Sequence, residues 1–125
     1  MSINEETFSV NVTAASGENY AGTFKVRRRL SHMQFLRADE LRRELVGAKP
    51  EFAPEDVRKN AYILSTCAAH VISAPSWWTD NSNGVDLLDE EPVSAVFEQV
   101  EKIRDTVAKE LQAKRQKSEE ALKSA

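Results

Sequence analysis

The chain has 125 residues, 41% hydrophobic and 30% charged, the balance of one ordinary globular domain, and its longest apolar stretch, Ala61 to Ile72, is shorter than the roughly 20 residues needed to span a bilayer. A formal net charge of -3 opposes long-range attraction to a polyphosphate, so nucleic-acid binding would need positive charge gathered on one face. One cysteine, Cys67, cannot staple the chain to itself, and an aromatic share of 7% disfavours a large β core, so a soluble, helix-rich body in a reducing cytoplasm is expected.

The acidic start, Met1 to Glu6, lacks the basic and apolar regions of a secretory signal. From Thr7 to Thr13 polar and apolar residues alternate, which puts Phe8, Val10 and Val12 on one face of a strand. Tyr20, Phe24 and Val26 share a parity in the next run, with Thr23, Lys25 and Arg27 opposite. Ser16-Gly17-Glu18-Asn19 between them supplies turn residues, so the two runs read as an antiparallel hairpin. A lone hairpin is marginal in water, and its apolar face needs helices, another sheet or a partner subunit as cover.

Ser31 and Gln34 have the spacing of a capping box and should open a first helix, with Met33, Leu36, Leu41 and Leu45 as its stripe and Gly47 and Pro50 as its stop. A second helix should start at Pro54, with Glu55 and Asp56 at its positive end, and run to about Ser73. Val57, Ala61, Leu64, Ala68 and Ile72 form its stripe. Tyr62, Ile63, Cys67 and Val71 widen that stripe until the middle is apolar nearly all round, so this helix should be the enclosed centre of the body, and its surplus apolar surface argues for assembly.

Ala74-Pro75 should end that helix, and Trp77-Trp78 should open a polar loop that turns at Asn81-Ser82-Asn83-Gly84. The third helix should follow Asp89-Glu90-Glu91-Pro92, with Val93, Val96 or Phe97, Val100, Ile103, Val107 and Leu111 at spacings of three and four. The resulting fold class is α+β: an N-terminal antiparallel β-hairpin followed by a three-helix, mainly helical body with a long C-terminal helix. Residues 1–112 should form a single domain, and 113–125 a charged helical extension or tail.

Little in the sequence points to catalysis, and neither catalytic residues nor a cofactor are expected. Cys67 and His70 lie three apart and could share a helix face, but a zinc site needs further ligands that no second Cys/His pair supplies; the pair reads as packed helix positions. Residues 79–90 match a calcium loop in part, with Asn81, Asn83, Gly84 and Glu90 in place. Thr79 stands where a carboxylate is needed, so an Asn-Gly turn before a helix explains the same residues and no metal is expected.

Partner contacts have better candidates. Lys25, Arg27, Arg28 and Arg29 form the strongest basic cluster, able to meet phosphates or the acidic surface of a protein. Trp77 and Trp78 are adjacent aromatics that one small domain cannot easily bury together, and tryptophan is enriched at binding hot spots. Tyr20 and Phe24 on the hairpin's apolar face complete the set of candidate partner-binding residues.

Three segments carry a resemblance: Gly17-Glu18-Asn19-Tyr20-Ala21-Gly22-Thr23-Phe24, then Arg42-Arg43-Glu44-Leu45-Val46-Gly47, then Ala74-Pro75-Ser76-Trp77-Trp78 with Asn83-Gly84-Val85-Asp86-Leu87. In this order they resemble small assembly and virion proteins of tailed bacteriophages, particularly the tail-assembly chaperone group. The resemblance implies a non-enzymatic role with phage structural or assembly proteins as partners, without cofactor. A homo- or hetero-oligomer is expected and no membrane contact is; a nucleic-acid-binding accessory using Arg27, Arg28 and Arg29 is the less favoured alternative on charge grounds. The resemblance implies the host cytoplasm during assembly for a chaperone of an aggregation-prone partner such as a tape-measure protein, and the particle itself for a virion component. It transfers no functional residue by position.

Overall fold

The computed structural model describes residues 4–124. Strands β1 (Glu5–Thr13) and β2 (Asn19–Arg27) form the hairpin, in unbroken antiparallel register from Glu5 opposite Arg27 to Thr13 opposite Asn19. The alternation places the side chains as expected. Phe8 faces Phe24 across the ladder on the inner face, while Ser9 and Thr23 share a hydroxyl hydrogen bond of 3.0 Å on the outer one.

Helix α1 (His32–Val46) begins at Ser31, whose hydroxyl accepts from the Gln34 amide while the Gln34 side chain accepts from the Ser31 amide, closing the capping box. A single 3-10 turn (Pro50–Phe52) leads into helix α2 (Glu55–His70). The short helix α3 (Ser76–Thr79) and the long helix α4 (Glu90–Ser124) complete the chain.

α2 is shorter than its sequence pattern suggests. It ends at His70, and Val71–Ser73 forms a third strand, β3, on the far edge of β2, giving a sheet in the order β1-β2-β3. Two contacts fix this crossover: Arg27 donates from Nη1 to the Ala69 carbonyl at 3.0 Å, and His70 Nδ1 bonds the Arg27 carbonyl at 2.7 Å. The β-branched Val71 and Ile72 suit a strand, and pairing them satisfies backbone groups of β2 that a longer helix would leave open.

α4 covers the hairpin. At the hairpin's tip, Ala15 N–H donates to Glu91 and Ser16 Oγ donates to Asp89; at the opposite end Arg28 bonds both Glu110 oxygens at 2.9 and 3.0 Å. Held at both ends, α4 lays Val96, Val100, Ile103 and Val107 onto Val10, Phe24 and Val26, and these residues with Cys67 and Trp78 are the core. The stripe read from the sequence is therefore the one used, apart from Leu111, which is exposed.

The core centres on aromatic rings rather than on α2. Phe24 stacks on Phe8 at 5.3 Å and meets Trp77 and Trp78 edge-on at 5.7 and 5.4 Å. Close backbone approaches at two glycines permit this. A Cβ on Gly22 would lie 2.2 Å from Pro75 Cγ, and one on Gly84, at φ +95°, would lie 2.8 Å from the Trp78 ring. The Asn81–Gly84 turn thus forms as expected, but its task is to wrap Trp78.

α1 and α2 pack as a helical hairpin, using a different α1 stripe from the one read in the sequence. Ala38, Leu41 and Leu45 are half-buried, whereas Met33 and Leu36 are exposed. Small residues face each other here: Ala38 borders the same cleft as Ser65, Ala68 and Ala69 of α2. α2 itself is only partly enclosed. It buries Ala61, Ser65, Thr66, Cys67 and His70, but Val57 and Tyr62 are exposed.

Phe24→Ala should destabilise the fold by about 3–5 kcal/mol, the range for emptying an aromatic core site. By contrast, Leu36→Ser should stay within about 0.5 kcal/mol, as for exposed positions generally. Urea unfolding followed by tryptophan fluorescence measures both.

Candidate interaction surface

The fold absorbs most of the residues singled out from the sequence. Phe24 and Trp78 are completely buried, which corrects the expectation that they meet a partner: the β-hairpin and the Asn81–Gly84 turn enclose them from both sides. Trp77 is half-buried, and its Nε1 donates to the Ala21 carbonyl at 3.0 Å. Tyr20 packs edge-on against Trp77 at 5.1 Å and donates its hydroxyl to Asp89, which pushes the phenol pKa up to about 12 because ionisation would place two anions in contact. The two tryptophans lie in α3, not in a polar loop, and each packs on Phe24.

The basic cluster is largely spent within the molecule. Lys25 pairs with Glu5 at 2.9 Å, Arg27 holds the α2 terminus, and Arg28 lies between Glu110 at 2.9 Å and Glu6 at 3.6 Å. Hydrogen bonding to Glu110 raises the Arg28 pKa further. Arg29 is exposed, and its backbone is held by Asn4, which accepts from the Arg29 amide and donates to its carbonyl.

Cys67 and His70 are both buried on the inner side of α2. Burial pushes the Cys67 thiol up to about 12, with the Glu101 charge adding to the effect, so the nucleophilic thiolate is suppressed at neutral pH. Burial also lowers the His70 pKa, outweighing the hydrogen bond to the Arg27 carbonyl; in the neutral ring Nδ1–H donates to that carbonyl. In the Thr79–Glu90 segment, Asn81 Nδ2 donates to the Trp77 carbonyl at 2.7 Å and Ser82 donates to Asp86 at 2.6 Å, so these groups brace the turn. Among the described residues no three His, Cys, Asp or Glu side chains converge as metal ligands would.

Large apolar side chains remain exposed on the helical hairpin, as do Leu88 before α4 and Leu122 near its end. Met33, Phe35 and Leu36 on the first turns of α1 are 58%, 64% and 60% exposed, and Phe52 in the connecting turn is 77% exposed. Phe35 stands at the rim of a cleft of about 150 Å³ between α1 and α2, whose walls include Arg42, Tyr62 and Arg104. The charges there are paired: Asp39 binds Arg42 and Arg43 at 2.6 and 2.7 Å, which holds its carboxyl below the usual range, and Arg104 binds Tyr62 and Glu101 at 2.9 and 2.7 Å. An apolar patch rimmed by paired charges is suited to a protein surface.

Single-stripe reasoning missed Phe35 and Phe52. The available signal was an excess: Met33, Phe35 and Leu36 fall within four residues and cannot all face one neighbouring helix.

No protein-family model, curated protein or solved structure matches this chain. No described helix is long and apolar enough to cross a membrane.

Two measurements check the buried pair. Because the folded His70 pKa lies below the unfolded value of about 6.5, the unfolded state takes up the proton first as pH falls. The contribution of His70 to stability is therefore complete above about pH 6.5 and is lost below it at up to about 1.4 kcal/mol per pH unit, until the folded ring also protonates. Urea midpoints between pH 5 and 8 should show this slope, and His70→Gln should flatten it. Ellman's reagent should label Cys67 slowly in the native protein and quickly in denaturant.

Proposed function

We propose that the protein is a non-enzymatic assembly protein of a tailed bacteriophage, acting through protein–protein contacts in the manner of a tail-assembly chaperone. The observation that carries this reading is the uncovered apolar surface of Met33, Phe35 and Leu36 on the first turns of α1, in a molecule whose aromatic core is closed. Holding an aggregation-prone partner requires apolar surface available without unfolding, and this patch supplies it. The three short segments that resemble small phage assembly proteins supply the biological setting; two of them, around Phe24 and Trp77-Trp78, build the aromatic core itself. On this reading the partners are phage structural or assembly proteins met in the host cytoplasm, and no cofactor takes part.

The contact surface proposed here lies on α1 rather than on the tryptophans. Lys25, Arg27 and Arg28 act within the fold through the pairs that hold it, while Arg29 remains at the surface near the start of α1.

A second reading, a structural component of the virion, is favoured by one feature. Every residue of α4 from Ala108 to Lys123 is exposed, and past Lys114, which still borders the start of α1, the helix projects about 14 Å at 1.5 Å per residue. A projecting helix offers a lateral surface to a neighbouring subunit in a particle.

Co-expression with phage tail structural proteins tests the chaperone reading. Phe35→Ser combined with Leu36→Ser should reduce capture of the partner at least about tenfold while leaving the circular dichroism unchanged, as expected for loss of two exposed apolar anchors. Unchanged capture rejects α1 as the contact surface. Mass spectrometry of purified particles separates the two readings, because a stoichiometric copy number excludes a purely transient chaperone and absence from particles excludes a virion part. Generic duplex DNA at low salt should not bind; salt-sensitive binding lost on replacing Arg27, Arg28 and Arg29 by alanine would favour a nucleic-acid accessory instead.

A further inference from the structure

The two edges of the sheet differ. β3 is three residues long, its pairing with β2 is irregular between Lys25 and Val26, and Ala74-Pro75 follows it directly. Shortness, irregular pairing and proline are devices by which native sheets prevent further strand addition. β1 has none of them. It runs for nine residues in continuous register, contains no Pro, Gly, Lys or Arg, and carries no charge from Thr7 to Thr13.

The ladder reveals which backbone groups this edge offers. At the two ends of the hairpin, Ala14 N–H donates to the Glu18 carbonyl and Arg28 N–H donates to the Asn4 carbonyl, each at 2.8 Å. Hydrogen-bonded and non-bonded pairs alternate along an antiparallel ladder, so Glu6, Phe8, Val10 and Val12 direct their N–H and C=O groups to β2. Thr7, Ser9, Asn11 and Thr13 direct theirs to the open edge, where no other strand lies among the described residues.

We propose that this edge pairs with β1 of a second copy of the chain, antiparallel about a twofold axis through Val10, joining two three-stranded sheets into one. Three constraints select this partner and register. Ladder bonding requires odd positions opposite odd ones, and continuity of the apolar face requires even opposite even; two copies of this segment satisfy both. Centred on Val10, the register sets Phe8 opposite the partner's Val12 on the helix-covered side, adding apolar cover to two half-buried residues. On the open side it sets Ser9 opposite the partner's Asn11 and Thr7 opposite the partner's Thr13, in hydrogen-bonded pairs.

Charge disfavours two alternatives. A parallel pairing would stack Glu5 and Glu6 on their own copies, and an antiparallel pairing centred on Ser9 would press the Glu6 carboxylate against the partner's Val12. Centred on Val10, Glu6 lies opposite the partner's Ala14, and the acidic ends are at opposite ends of the seam. This isologous pairing closes after two copies and leaves β3 as both outer edges of the joined sheet.

Light scattering after size exclusion, together with amide exchange on the full chain, tests the proposal. Wild type should have twice the mass of one chain, and the amides of Thr7, Ser9, Asn11 and Thr13 should exchange more slowly as protein concentration rises. Ser9→Glu with Asn11→Glu sets like charges opposite each other twice across the seam and should weaken the dimer by about tenfold or more. Ser9→Lys with Asn11→Glu makes both pairs complementary and should restore it. A monomeric wild type at several hundred micromolar overturns the proposal, as does a dimer indifferent to both variants. If the variants misfold, concentration-independent exchange of the four wild-type amides overturns it. Failure of partner capture in the α1 experiment would leave this result untouched, since the two surfaces are separate.

Discussion

Phe24 is the contact on which the rest of the structure depends. Its ring stacks on Phe8 of the neighbouring strand and receives the edges of Trp77 and Trp78, so one side chain joins the hairpin to α3. α4 then closes the assembly through Val96 and Val100. Rings of this size each bury a large apolar area and prefer edge-on geometry, so a few of them can supply a dense core in a chain with an aromatic share of only 7%. Removing Phe24 would open a void between β1, α3 and α4. The glycines at 22 and 84 belong to the same arrangement, since Pro75 and the Trp78 ring occupy the space their side chains would need.

Polar contacts position what the rings hold. Glu91 and Asp89 at the start of α4 take hydrogen bonds from the hairpin tip, and Glu110 takes Arg28 at the other end. These ionic contacts are exposed and contribute modestly to stability, but they set the angle at which α4 crosses the sheet. The Arg27 and His70 contacts do the same for the crossover into β3. With Lys25, Arg27 and Arg28 occupied in this way, the basic cluster acts mainly within the fold, while Met33, Phe35 and Leu36 of α1 stay exposed.

The sequence made some of this legible and concealed the rest for identifiable reasons. Period-two alternation located both strands and their buried faces, the Ser31 and Gln34 spacing located the start of α1, and the Val96, Val100, Ile103, Val107 series located the buried face of α4. β3 was hidden because Val71 and Ile72 continue the apolar pattern of α2, and only the tertiary bonds from Arg27 and His70 end the helix there. The inner face of α1 differs from the apolar stripe in the sequence because half-buried Ala38, not Met33 or Leu36, faces the cleft toward Ser65 and Ala69. The tryptophans were assigned to a surface because adjacent residues on a loop diverge. In the short helix α3 they diverge too, but the sheet lies on one side and the Asn81–Gly84 turn wraps the other.

The placement of α4 over the hairpin also bears on how the chain is made. The β1–β2 and α1–α2 pairings join neighbouring segments and can form as soon as each leaves the ribosome. The cover for the sheet comes from Val96 to Val107, which leave the ribosome long after the hairpin. Until those residues emerge, Phe8, Val10 and Phe24 form an uncovered apolar face next to an unpaired strand edge, so the nascent chain is most exposed to misassembly in the interval between completing its hairpin and completing α4.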